Sequence, residues 1–227
     1  HNQTMTSTTT TNNQDCPTPR EGFYSSQLDS FVGPGATTAE LILQFGASFL
    51  IGFGCLLVFR ETHPDASWQQ NTIVALIGMD MIGGVVTNAT SAAKRWYHRS
   101  GQGFTEHMTF ISIHALQIGT VAYQFVEQDS DKWLYFGLVY GALLVSSAVV
   151  LTVPLYLQRP TAMSLVAAAI PASMTKWMPH TPGLEWFLPL LFIKLLVSHL
   201  TYETPFRPDK TRQRKRKRRA GCFIHKR

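Results

Sequence analysis

The chain has 227 residues, 45% of them apolar, with a formal net charge of +6 and three cysteines. Eleven of its twenty basic residues lie between 207 and 227 against one acidic residue there, Asp209, so the remainder carries −4 and a basic folded domain is excluded. Cys16, Cys55 and Cys222 fall in a tail, an apolar run and another tail, which excludes a disulfide scaffold.

Residues 1–39, rich in Thr, Asn and Ser, read as a polar, disordered cytoplasmic tail. From Glu40 to Glu203 long apolar runs alternate with short charged loops. A spanning helix needs roughly 20 mostly apolar residues at about 1.5 Å each, so the pattern predicts an all-α, polytopic transmembrane bundle of six spans. The first, 41–59, is expected to serve as the targeting signal, and Glu40, Gln44 and Ser48 place a polar stripe at its start.

The second span, 71–93, carries Asp80 about 14 Å from its outer end, near the bilayer centre. A charge there costs about 2.5–3.5 kcal/mol on insertion scales, so the carboxylate must be protonated, paired or facing water. Gly84, Thr87, Ser91 and Lys94 share its face within about 40°, with Gly83 beside it, which equally describes a packing stripe for a neighbouring helix.

The loop KRWYHRSGQG, 94–103, offers Lys94, Arg95 and Arg99 at the level of lipid phosphates, with Trp96 and Tyr97 as interfacial anchors. Such a loop could contact an anionic head group or another phosphate-bearing ligand. Positive-inside anchoring accounts for the same charges. In the third span, 106–125, His107 and His114 lie within about 20° of one face, His114 near mid-membrane and His107 at the cytoplasmic end. Gln117, Tyr123 and Gln124 add neutral polar groups to it. The fourth span is 133–157; the fifth, 161–178, is Ala-rich and interrupted by Pro171; the sixth, 184–203, contains Pro189 and Lys194. Residues 204–227 form a polybasic cytoplasmic tail, expected to lie against anionic lipid head groups and not to bind nucleic acid.

Loop charge fixes the orientation expected for these spans. Lys94, Arg95 and Arg99 stand in one loop, Arg159 in a tight turn and the basic cluster at the C-terminus, while the other loops are poor in Lys and Arg or rich in acid. This alternation fits six spans with both termini in the cytoplasm.

Depth counting sorts the ionisable residues into two layers. Asp80, His114 and Lys194 fall near the midplane, where they would form an intramembrane polar site if their helices are neighbours. His98, Glu106, His107, His199 and Glu203 fall near the cytoplasmic face. Three imidazoles and two carboxylates suit acid–base chemistry or a divalent metal, although no HxxxH or HExxH spacing is present and interfacial histidines are common at span ends.

The blocks GMDMIGGVVTNATSAAKRWYHRSGQGF, VPLYLQRPTAM and PGLEWFLPLLFIKLLVSHL resemble a group of small, uncharacterised multi-pass membrane proteins over about 71–203. The resemblance implies the membrane architecture and carries over no site, cofactor or activity. Three classes of function therefore stand side by side. One is a non-catalytic membrane component whose polar residues fasten helices. The second is a small-solute or proton-coupled carrier using Asp80, His114 and Lys194. The third is a lipid-modifying enzyme with His98, His107 and His199 as catalytic candidates.

Overall fold

The computed structural model describes residues 17–204 and is all-helical across them. Its elements are α1 (Phe23–Val32), α2 (Thr38–Thr62), α3 (Trp68–Ala89), α4 (Ser91–Tyr97), α5 (Phe104–Ser112), α6 (Ala115–Phe125), α7 (Asp129–Thr152), α8 (Leu155–Ser173) and α9 (Phe187–Phe192). The last runs directly into a π-helical segment, Ile193–His199. Three of these helices, α2, α3 and α7, are long and apolar enough to cross a membrane.

Six rods run alternately between two ends of one bundle: α2, α3, the α5–α6 pair, α7, α8 and the α9–π pair. At one end a cavity gathers Gln102, Phe104, Leu155 and Tyr202. At the other, Thr62, Gln70, Phe125 and Pro182 meet around a second. Along the axis α3 is central, packed most extensively on α2 and next on the π segment.

Local chemistry explains where the rods start and stop. Thr37 accepts from the Glu40 backbone N–H at 3.2 Å while the Glu40 carboxylate accepts from the Thr37 N–H at 2.7 Å, a reciprocal capping box. Ser67 and Gln70 repeat the arrangement at the start of α3. The polar stripe of the first span is thus absorbed by structure: Glu40 also accepts from the Ala92 N–H at 3.2 Å, Gln44 receives the Thr87 hydroxyl at 3.3 Å, and Ser48 donates to the Met79 carbonyl at 2.7 Å.

Several expected boundaries shift. The segment read as disordered to residue 39 carries α1, whose Asp29 and Val32 are buried. Arg20 grips the Asp29 carboxylate at 2.9 Å, and the Tyr97 hydroxyl donates to the Ser30 and Phe31 carbonyls. Span two breaks at Thr90, whose extended backbone caps α4, so Ser91 and Lys94 do not continue the Asp80 stripe. Span three is split at Ile113–His114 into α5 and α6. The turn expected near Arg159 lies at Val153–Pro154, because proline has no N–H for a helix and forces the preceding residue into extended backbone, ψ 153° at Val153. Consequently α8 begins at Leu155 and takes Pro160 and Pro171 inside it. The Ser164 hydroxyl donates to the Pro160 carbonyl at 2.9 Å. The polybasic tail, with Cys16 and Cys222, lies outside the described residues.

Candidate functional site

Two glycine contacts draw α2 and α3 together. A Cβ on Gly52 would come within 2.7 Å of the Met79 backbone nitrogen, and one on Gly78 within 3.3 Å of Gly52 itself, so the helices cross backbone to backbone. Gly84, on the stripe of Asp80, receives a different neighbour. The aliphatic stem of Lys194 lies across it, with Cδ 2.8 Å from where a Cβ would stand.

That stem carries the Lys194 ammonium to Asp80, at 2.7 Å from Oδ2. The Gln117 side-chain amide from α6 donates to the same oxygen. Asp80 and Lys194, 114 residues apart, are therefore partners, and the third direct member of the group is Gln117. His114 stands close enough to interact electrostatically with both charges, yet its Nδ1 is turned to the Phe110 carbonyl at 3.0 Å. It satisfies a carbonyl near the α5–α6 break. The Ser112 carbonyl finds the Tyr140 hydroxyl at 3.3 Å. The pair is asymmetric: the Lys194 side chain is 4% exposed and that of Asp80 38%.

The histidine layer also assembles. His107 Nδ1 and His199 Nε2 lie 3.1 Å apart, and His98 Nε2 is 2.9 Å from the His199 carbonyl. Phe110 stacks on the His199 ring at 4.3 Å and Tyr97 meets its edge. His199 is 2% exposed, and its Nδ1 is buried without a hydrogen-bond partner. His98 and His107 line a cavity of about 310 Å³ together with Gly103, Gln158 and Tyr202. Burial, with the charges of Lys94 and His107 adding to it, holds the His98 imidazole down to about 4, so the ring is neutral near pH 7.

The π segment makes the two layers compatible. Residues five apart on an α-helix point about 140° away from each other. Here the i→i+5 bond from Leu200 N–H to the Leu195 carbonyl, 3.0 Å, marks the wider turn that lets Lys194 reach α3 while His199 reaches α5.

The carboxylates expected beside these imidazoles go elsewhere. Glu106 caps α5 by accepting from the Gly103 N–H at 2.8 Å, and Glu203 pairs with Arg159 at 3.4 Å. No group of three or more His, Cys, Asp or Glu among the described residues is arranged to hold a metal.

The loop expected to contact head groups is largely turned inward. Lys94, 4% exposed, donates to the Ser198 and Thr201 carbonyls at 2.6 Å each, closing the open end of the π segment. Burial lowers its ammonium to about 8, with Glu203 opposing that shift and Arg159 adding to it. Arg95 is buried as well, and Arg99 lies over the Trp96 ring at 3.7 Å. Lys94 thus serves as a cap of the π segment. Its sequence signal, a lysine at the end of a span, is the same for either role.

Comparison of the chain with protein-family models, with curated proteins and with solved structures finds no match.

Proposed function

We propose that this chain is a six-span integral membrane protein with both termini cytoplasmic, working as a carrier that moves protons across the membrane through Asp80, Lys194 and Gln117. The observation that carries this reading is the asymmetry of the ion pair. A pair that only fastened helices would be enclosed on both sides, whereas the Asp80 carboxylate keeps 38% of its side chain open midway along α3. Facing hydrocarbon, an open charge is expensive; facing water or a bound solute, it is served. Two irregular rods flank it, α5–α6 and α9–π, and non-helical backbone at membrane depth is tolerated where it is buried in protein or borders a cavity. The resemblance over 71–203 agrees with the membrane architecture, and the basic tail agrees with the orientation.

The test uses the full chain in phosphatidylcholine vesicles enclosing a pH-sensitive dye, with an imposed potassium diffusion potential. Protein-dependent proton entry is expected, reduced at least tenfold by Asp80→Asn and by Lys194→Met. Entry no faster than in protein-free vesicles, or unchanged in Asp80→Asn, overturns the reading.

A further inference from the structure

At the end of the bundle opposite the His107–His199 pair, a cavity of about 330 Å³ lies between α7, α8, α9 and the connection that joins the last two. Small-molecule sites span about 300–1,000 Å³, so it suits a compact ligand. Ile170, Met174, Met178, Leu184, Leu188 and Pro189 give it apolar walls, and the flexible methionines can adapt to an occupant. Into this lining α7 brings the Tyr135 hydroxyl. The residue is 2% exposed and Thr181 stands beside it, yet the hydroxyl has no hydrogen-bond partner. A buried polar group left unpaired destabilises a fold unless something uses it. Ser173 and Thr175, also on the lining, are committed: their hydroxyls donate to the Ile170 carbonyl at 2.7 Å and the Ala172 carbonyl at 2.9 Å. Tyr135, with Thr181 beside it, is therefore the polar contact at hand for a ligand.

Charge narrows the choice of occupant. No lysine or arginine lines the cavity, and its one carboxylate, Glu185, accepts from the Gly183 N–H at 3.1 Å with His180 3.7 Å away. An anionic ligand would meet that carboxylate in apolar surroundings with no lysine or arginine to pair it, which selects against fatty acids and phosphate head groups. Ile170 and Met174 belong to the lining and are also exposed, so the cavity opens beside the end of α8. At the same end Trp133 and Trp177 are largely exposed, as aromatic residues at a membrane surface are. We infer that this cavity binds an uncharged, membrane-partitioning molecule bearing a hydroxyl, of the alkylphenol class, with Tyr135 as its hydrogen-bond partner. A ligand hydroxyl both donates and accepts, so it fits the Tyr135 hydroxyl in either sense, while the apolar body takes the methionine and leucine walls. The site shares no residue with the Asp80–Lys194–Gln117 group, and only entry from the bilayer rests on the membrane reading. Ligand binding can therefore fail while proton entry stands, and the reverse.

Photolabelling tests the site, using the full chain in phosphatidylcholine nanodiscs, a diazirine-bearing alkylphenol and mass spectrometry to map the adducts. Labelling is expected at Tyr135 and on residues 170–189. Excess 4-butylphenol should reduce it about fivefold or more, whereas 4-butylbenzoate, with the same body and a negative charge, should reduce it less than about twofold. Tyr135→Phe should weaken the protection by 4-butylphenol about threefold or more, the loss of one hydrogen bond. The unfolding temperature of the ligand-free variant should be unchanged or raised, because an unpaired buried hydroxyl has been removed. Leu188→Trp, which fills the cavity, should abolish the protectable labelling. Labelling that excess 4-butylphenol does not reduce, or equal protection by 4-butylbenzoate, overturns the site. Undiminished protection in Tyr135→Phe overturns it as well.

Discussion

Asp80 and Lys194 illustrate how much one pair can tell at the scale of residues. Removing either partner leaves the other charge desolvated, and for enclosed pairs this costs about 3–5 kcal/mol. With Asp80 partly open, about 2 kcal/mol is expected for Asp80→Asn or Lys194→Met. The double variant should recover most of the loss, giving a coupling of at least 1 kcal/mol in thermal unfolding of detergent-solubilised protein. Additive losses would show that the two do not act as a pair. His98 sets a pH dependence of its own. Its folded value of about 4 lies below the unfolded value near 6.5, so the unfolded chain binds more protons between these limits. Stability should therefore fall as pH drops from about 6.5 to 4, and His98→Gln should flatten that part of the profile.

At the scale of elements, the sequence shows which segments are apolar but not where a rod bends. Span one is legible to within three residues at each end, since the expected 41–59 lies inside α2, Thr38–Thr62, while Glu40, whose capping box with Thr37 starts it, reads in the sequence only as part of a polar stripe. The α5–α6 break is not legible, because FTEHMTFISIHALQIG contains no proline or glycine at Ile113–His114. The interruption depends on side chains that serve the carbonyls nearby, His114 in sequence and Tyr140 from α7. The π segment is equally silent: IKLLVSH would suit an α-helix, and its wider turn is sustained by Lys94 binding two carbonyls from another helix. Glycine, by contrast, predicts close approach correctly on α3. Gly52→Val should cost about 2 kcal/mol or more in thermal unfolding, because the added branches meet the Met79 backbone, which cannot swing aside. The same change at Gly54, which faces open space, should be nearly neutral.

For the whole molecule, the alternation of six rods makes a topological prediction. Single cysteines placed at Ser100 and Gln102, in a chain with Cys16, Cys55 and Cys222 replaced by serine, should react with a membrane-impermeant maleimide from the cytoplasmic side. Cysteines at Asp65 and Gln128 should react only from the other. Labelling of all four from one side would rule out the six-span arrangement.

Composition, apolar run length and loop charge were enough by themselves to define an all-helical chain with helices suited to a membrane, because each depends only on neighbours in sequence. Depth counting placed Asp80 and Lys194 at one level and His98, His107 and His199 at another for the same reason. Only the tertiary structure decided that Asp80 meets Lys194, that Gln117 joins them, and that Lys94 turns inward as a cap. Partner choice among helices is set by small-residue contacts and backbone irregularities spread over more than a hundred residues, and no local pattern records it.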